Sequence, residues 1–206
     1  MSAYRADEPV AIREDIVQAA THVFSTSGYH GASMADIAIA VGMRKASLYH
    51  HVQRKEDLLI AIHQTLVDDL IDRTQRALVS TSTPSERLSA VLHAAVEFIA
   101  ANREGVTVFL SEAGIVASGD RWATIVAKRD FYEAQVASIV QEGMDSGEFV
   151  NLPHKVVARG VLGMANWCYT WFDPHGSMTS NEVADIFATI VLNGLRRTQL
   201  PGGPAT

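Results

Sequence analysis

An all-α fold follows from three observations. Apolar residues recur at three- and four-residue intervals through most of the 206-residue chain, no stretch alternates like a half-buried strand, and short clusters of Gly, Pro, Ser, Asn and Asp separate the periodic runs. The expected organisation is a three-helix unit over 1–57 with a flexible N-terminal arm and a larger helical unit over 58–206 with a flexible C-terminal tail. With 48% hydrophobic residues, the chain is long enough for the two units to share a continuous core.

Residues 1–9 read as a frayed arm, with Arg5 its one basic side chain. Ile12, Ile16, Ala19, Ala20 and Val23 then mark a helix that runs to Phe24 and ends at Gly28. Ser33 with Asp36 is a capping-box-like start, behind which Met34, Ile37, Ala38 and Val41 form a short amphipathic helix. Gly42 supplies the permissive backbone of a tight turn, and a second short helix starts near Arg44. Met43 and Leu48 can anchor that helix, while Arg44, Lys45, Ser47, Tyr49 and His50 form its polar outer face. Cations, a hydroxyl and a phenol on one exposed helix face can meet phosphates and base edges in a DNA major groove, so the pair of helices reads as a helix-turn-helix.

A long helix from Lys55 to about Val79, with Leu59, Ile62, Leu66 and Leu70 in one stripe, links the two units. Lys55 and the free N–H groups of its first turn are candidates for phosphate binding. After the break at 80–85, five further helices are expected over 85–102, 105–117, 121–145, 154–172 and 179–197, and the tail LPGGPAT is expected to be disordered.

The net charge is −6, and residues 1–57 hold six Lys/Arg against seven Asp/Glu, so neither the chain nor its first unit is basic overall. Basic groups are concentrated locally instead: Arg44, Lys45, Arg54 and Lys55 surround His50 and His51. Such a patch can dock on phosphate while an acidic body discourages indiscriminate binding. No apolar run is long enough for a bilayer span and the segment MSAYRADEPV lacks a secretory core, so the expected location is cytoplasmic, away from membranes. The single cysteine, Cys168, has apolar neighbours that favour a buried thiol. An enzyme is not expected: there is no phosphate loop, nucleophile elbow or two-Cys metal knuckle, and His93 with Glu97 reads as a solvated pair, so neither metal nor cofactor is implied.

In the helix expected over 121–145, helical spacing places Arg129 on an apolar face made by Trp122, Ile125, Val126, Tyr132, Val136, Ile139 and Val140. A cation there needs a partner. It is either an internal carboxylate, for which Glu112 is the candidate, or an anionic ligand, with Arg121 and Lys128 near the mouth of its site. The next helix adds Gly160, Gly163, Met164, Ala165, Asn166, Trp167 and Trp171; Trp167 is either core or a ligand wall.

The run Gly42-Met43-Arg44-Lys45-Ala46-Ser47-Leu48-Tyr49, then His51 and Lys55-Glu56-Asp57-Leu58-Leu59, resembles the DNA-binding signature of TetR-family regulators. Two positions depart from the usual pattern: Arg44 stands where a small hydroxyl cap is common, and Val52 where an aromatic is common. The stretch from Gly163 to Trp167, with Trp171-Phe172, Pro174 and Gly176, is similar to the C-terminal domain of members that sense acyl-CoA thioesters in fatty-acid or steroid degradation; Phe109, Glu112 and Arg129 also fit that subgroup.

The resemblance implies an N-terminal DNA-binding domain, a C-terminal ligand-binding and dimerisation domain, and a homodimer formed through the last two helices. It further implies a repressor released from a double-stranded DNA operator by a small hydrophobic anionic effector such as an acyl-CoA. Base contacts are expected from Arg44, Lys45 and Tyr49, with Ala46, Ser47 and His50 on the same helix, and phosphate contacts from Ser33, His51 and Lys55. Effector contacts are expected from Phe109, Glu112, Arg121, Trp122, Ile125, Lys128, Arg129, Tyr132, Met164 and Trp167. The alternatives are an efflux regulator answering to a neutral or cationic hydrophobic compound, and a DNA-binding protein without a ligand, whose core would be filled around Arg129.

Overall fold

A computed structural model describes residues 12–112 and 120–196. The arm with Arg5, the tail 200–206 and the expected helix ends at 113–117 and 197 lie outside the described residues. Those residues form ten α-helices and one 3₁₀ turn, with a single isolated antiparallel bridge between Phe149 and Arg196.

Helix α1 (Glu14–Ser27) buries Ile16, Ala20, Val23 and Phe24, one face of a 3.6-residue period, and ends at Gly28 with φ 71°. Helix α2 (Met34–Val41) has the reciprocal cap expected at its start, Ser33 and Asp36 each taking the other's backbone amide. It closes at Gly42, whose φ of 76° is left-handed and whose amide returns to Ala38 and Ile39. Helix α3 (Lys45–His51) is anchored by Leu48, which is fully buried, and by Val52 just beyond it.

Helix α4 (Lys55–Leu78) spans roughly 36 Å at the usual rise. It packs on α1 and ties to the turn between α1 and α2 at its start, and its far end runs between the helices of the larger unit, so a domain boundary at 57/58 falls inside its first turn. Helix α5 (Pro84–Ala101), capped by Thr83 and Glu86, has buried residues around most of its circumference and is the axis of the larger unit. Only Asn102 separates it from α6 (Arg103–Ser111); the Asn102 amide donates to Asp69 Oδ2 at 3.1 Å and to the Phe98 carbonyl at 3.0 Å, which fixes the corner.

A 3₁₀ turn (Asp120–Trp122) leads into α7 (Ala123–Asp145). The helix expected over 154–172 is instead two, α8 (His154–Asn166) and α9 (Cys168–Trp171). The local cause is Thr170, whose amide donates to the Trp167 carbonyl at 3.1 Å and whose hydroxyl donates to it at 2.8 Å, tightening the turn at Trp167. Helix α10 (Ser180–Leu195), capped by Thr179 and Glu182, closes against α5. One buried apolar cluster extends from Ile16 in α1 to Leu195 in α10, so the two units share a core. Among the described residues no helix is long and apolar enough to cross a membrane. Cys168 is buried, and burial pushes its thiol up to about 11.

Gly143 lets α7 and the returning chain touch: a β-carbon there would lie 2.1 Å from the Phe149 ring. Phe149 is itself buried, so neither side can yield cheaply. Gly143→Ala is expected to lower stability by about 1–3 kcal/mol through overpacking; chemical denaturation of both proteins measures the difference.

Candidate functional site

The face presented by α3 is open. Arg44, Lys45, Ala46, Ser47, Tyr49, His50 and His51 are exposed, and only Leu48 points inward. Among the described residues none of the side chains on this face is tied to a carboxylate. Arg44 is the N-cap of α3 and makes no side-chain cap bond, which leaves its guanidinium outside the helix.

Two expected phosphate contacts have other employment. The Ser33 hydroxyl donates to Asp36 Oδ2 at 2.7 Å and accepts from the Asp36 amide, and this pairing holds the Asp36 carboxyl below the ordinary carboxylate range. The Lys55 ammonium points into the turn between α1 and α2, donating to the carbonyls of Tyr29 and of Ala32, the latter at 2.8 Å, and lying 4.4 Å from the Tyr29 ring centre. Lys55 is therefore a brace of the reading unit. A carboxylate crowds the first turn of α4 as well: Asp57 Oδ2 accepts from the Arg54 amide at 2.8 Å.

In the larger unit a cavity of about 690 Å³ opens between α4, α6, α7 and α8. Val67, Leu70 and Ile71 of α4, Phe109 and Leu110 of α6 and Leu162 of α8 give it apolar walls. Polar groups are few: Tyr132, whose phenol meets the Thr74 hydroxyl at 3.3 Å, the Asn166 amide, and charged groups on the α7 and α8 side. Burial raises the Tyr132 pKa, so the phenol stays protonated. Arg159 pairs with Glu133 at 2.7 Å, whereas the Arg129 guanidinium lies 5.2 Å over the Phe109 ring and has no ion pair among the described residues. The internal pairing of Arg129 with Glu112 is thus not found.

Of the expected effector residues, Phe109, Arg129 and Tyr132 line the cavity and the others do not. Ile125 is fully buried in the core, and Met164 packs against the core beside the wall. Lys128 pairs with Asp68 on the surface. Arg121 reaches away from the cavity to Glu56 and Asp57 in the first turn of α4, and Trp122, 1% exposed, donates its indole N–H to Glu56 at 3.2 Å. Glu112 merely ends α6. Trp167 is 63% exposed, and Val156, Trp171, Ile186 and Ile190 on α8 to α10 are exposed as well. Gly160, Gly163 and Gly194 leave open space beside α8 and α10.

The lining residues missed lie on α4, α6, α7 and α8, and those of α4 carry the clearest sequence signal. Val67, Leu70, Ile71 and Thr74 recur at helical spacing, a wider stripe than contact with one neighbouring helix requires, and that excess width was the available signal. His63 was also missed. It is fully buried, its Nδ1–H donates to the Leu59 carbonyl at 2.9 Å, and its Nε2 has no partner among the described residues. The ring packs 4.8 Å from Phe109 and edge-on to Trp122 at 5.2 Å, bridging the cavity wall to the indole that meets Glu56. Burial, the largest influence, lowers its pKa, which keeps the imidazole neutral. No cluster of potential metal ligands occurs among the described residues.

Residues 16–62 match the family model described as bacterial regulatory proteins, tetR family, and residues 81–195 match that described as tetracyclin repressor-like, C-terminal domain. The chain is 25% identical over 193 residues to the HTH-type transcriptional repressor KstR2 of Mycolicibacterium smegmatis, covering 93% of this chain and 94% of that protein. The solved structure of the ketosteroid transcriptional regulator KstR2 of Mycobacterium tuberculosis shares the fold, with a TM-score of 0.83 at 24% identity over 93% of this chain and 100% of the other. AibR, solved in complex with isovaleryl coenzyme A and operator DNA, superposes with a TM-score of 0.78 at 30% identity over 85% of this chain and 95% of its own.

Two outcomes follow from these contacts. Lys55→Ala, which strands two carbonyls, is expected to cost about 1–3 kcal/mol of stability; urea denaturation measures it, and salt titration of DNA binding should show an unchanged slope. The depressed pKa of His63 makes the unfolded chain the better proton binder below about 6.5. Its contribution to stability is therefore complete above that pH and is lost as pH falls toward the folded value. His63→Leu should flatten this part of the pH–stability profile.

Proposed function

From the premise that the chain belongs to the TetR family of bacterial regulatory proteins, we propose that it is a homodimeric repressor released from its operator by an acyl-CoA thioester. The observation that carries the effector reading is Arg129: a cation at the wall of a largely apolar cavity, stacked on Phe109 and without a carboxylate partner among the described residues. An apolar acyl group fits against Val67, Leu70, Ile71 and Leu162, and the anionic end fits toward Arg129. The AibR complex with isovaleryl coenzyme A supports the same effector class. A regulator without a ligand offers no account of a cavity of about 690 Å³ at this position.

Dimer formation accounts for the exposed apolar face of α8 to α10, where Trp167, Trp171, Ile186 and Ile190 otherwise face water and where the glycines admit a close partner helix. Each protomer then presents α3 to a major groove, with half-sites about 34 Å apart or slightly more. Arg44, Lys45 and Tyr49 read bases, Ala46 and Ser47 allow close approach, and His50 and His51 meet the backbone. Ligand occupancy separates α4 from α7, tilts the first turn of α4 and moves α3 out of register. Driving such a switch nearly to completion needs a differential affinity of roughly 10⁴, about 5.5 kcal/mol.

The test is thermal denaturation against acyl-CoA thioesters, free acids, free CoA and hydrophobic cations. Thioesters at one hundred times their Kd should add about 2.7 kcal/mol of stability, and Arg129→Ala should abolish the effect at unchanged fold. Stabilisation by hydrophobic cations alone would overturn this reading in favour of efflux control, for which Asp130 at the same wall is the available partner.

A further inference from the structure

We propose that Arg121 and Trp122 determine which spacing of DNA half-sites the protein accepts, by fixing the angle between α3 and the cavity wall; the inference rests on the dimeric operator reading above. Both residues sit in the 3₁₀ turn Asp120–Trp122, which runs directly into α7, the helix that brings Val126, Arg129 and Asp130 to the cavity. Arg121 donates to Glu56 through one nitrogen and to Asp57 through another, and the Trp122 indole donates to Glu56. Asp57 in turn accepts the Arg54 amide, closing the short link Val52–Arg54 that follows α3. From cavity wall to reading helix, every joint is a helix, a cap or a directed hydrogen bond.

Few other contacts can set that angle. The apolar packing of α1 on α4 and α6 holds the units together but is non-directional and tolerates small rotations. Among the described residues, one side-chain bond joins residues 12–54 to residues beyond 57, His22 Nδ1 to Glu104 Oε1 at 3.0 Å, while Lys55 ties the base of α4 to the carbonyls of Tyr29 and Ala32. These contacts hold the base of α4 as a pivot. Arg121 grips two carboxylates on successive residues, and a two-point grip resists rotation about that pivot. Because two protomers must place α3 in grooves about one helical turn apart, an angular change in each adds up across the dimer. The mobility of this joint therefore appears as tolerance of spacing, whereas loss of a base contact would appear as tolerance of sequence.

The experiment selects duplexes from randomised DNA with the full-length wild-type protein, then measures affinity by fluorescence anisotropy for the selected site and for versions with the central spacer two base pairs longer or shorter. Two base pairs turn one half-site by roughly 70° relative to the other. The wild type should lose at least about tenfold in affinity on the altered spacers. Arg121→Ala, Glu56→Gln and Trp122→Phe should shrink that ratio, to below about threefold for Arg121→Ala, while Arg121→Lys retains more of it. Glu56→Gln serves as the milder variant if Arg121→Ala melts below the assay temperature. Equal weakening on all spacers, with the ratio intact, is the outcome of a merely structural role and overturns the proposal. Failure of the wild type to enrich any two-half-site duplex would instead overturn the operator reading, and this inference with it.

Discussion

The carbonyls of Tyr29 and Ala32 project from the turn between α1 and α2 toward a single ammonium, that of Lys55, the first residue of α4. A buried carbonyl without a donor is costly, and a cation without acceptors is costlier, so each side of this contact requires the other. The arrangement pins the start of α4 to the turn between α1 and α2. Glu56 and Asp57, the next two residues, are then held at a fixed height beside Arg121 and Trp122. Three consecutive side chains thus serve three partners: the turn below, the indole and guanidinium beside, and the cap of their own helix. Contacts from the α1–α2 turn, the link after α3 and the start of α7 thus converge on this one turn.

The same placement explains why a small effector can act over a distance. Cavity and reading helix share α4, which forms one apolar wall through Val67, Leu70 and Ile71 and carries α3 at its other end. A second, parallel connection runs through rings: Arg129 over Phe109, Phe109 on His63, His63 on Trp122. Close-packed contacts of this kind transmit displacement because interiors have little free volume to absorb it.

Much of this was legible in the sequence, for local reasons. The cap at Ser33 and Asp36, the turn at Gly42 and the anchor at Leu48 are short-range features whose physics is complete within a few residues, and each is found as read. Helical spacing likewise placed Arg129 and Tyr132 on the cavity side of α7. What was not legible is which of several cations points where. Lys55, Arg121 and Lys128 each look like anion binders in sequence, yet each has a carbonyl or carboxylate partner more than twenty residues away. Periodicity gives a residue its face, but a long flexible side chain chooses its partner from the tertiary neighbourhood. Trp167, read as core or ligand wall, is neither: it is 63% exposed, and helical spacing alone does not distinguish an inner face from an outer one.

Cys168 has a consequence for the signals to which the protein can answer. Its thiol is buried, with a pKa of about 11, so at neutral pH only about one molecule in ten thousand holds the thiolate, the form that oxidants and electrophiles attack. It is also the chain's one cysteine. Thiol chemistry has no accessible handle here, and a change in cellular redox state leaves this side chain as it was. On the effector reading proposed above, that silence adds selectivity: a regulator with an inert thiol answers to what enters its cavity without registering oxidants through sulfur.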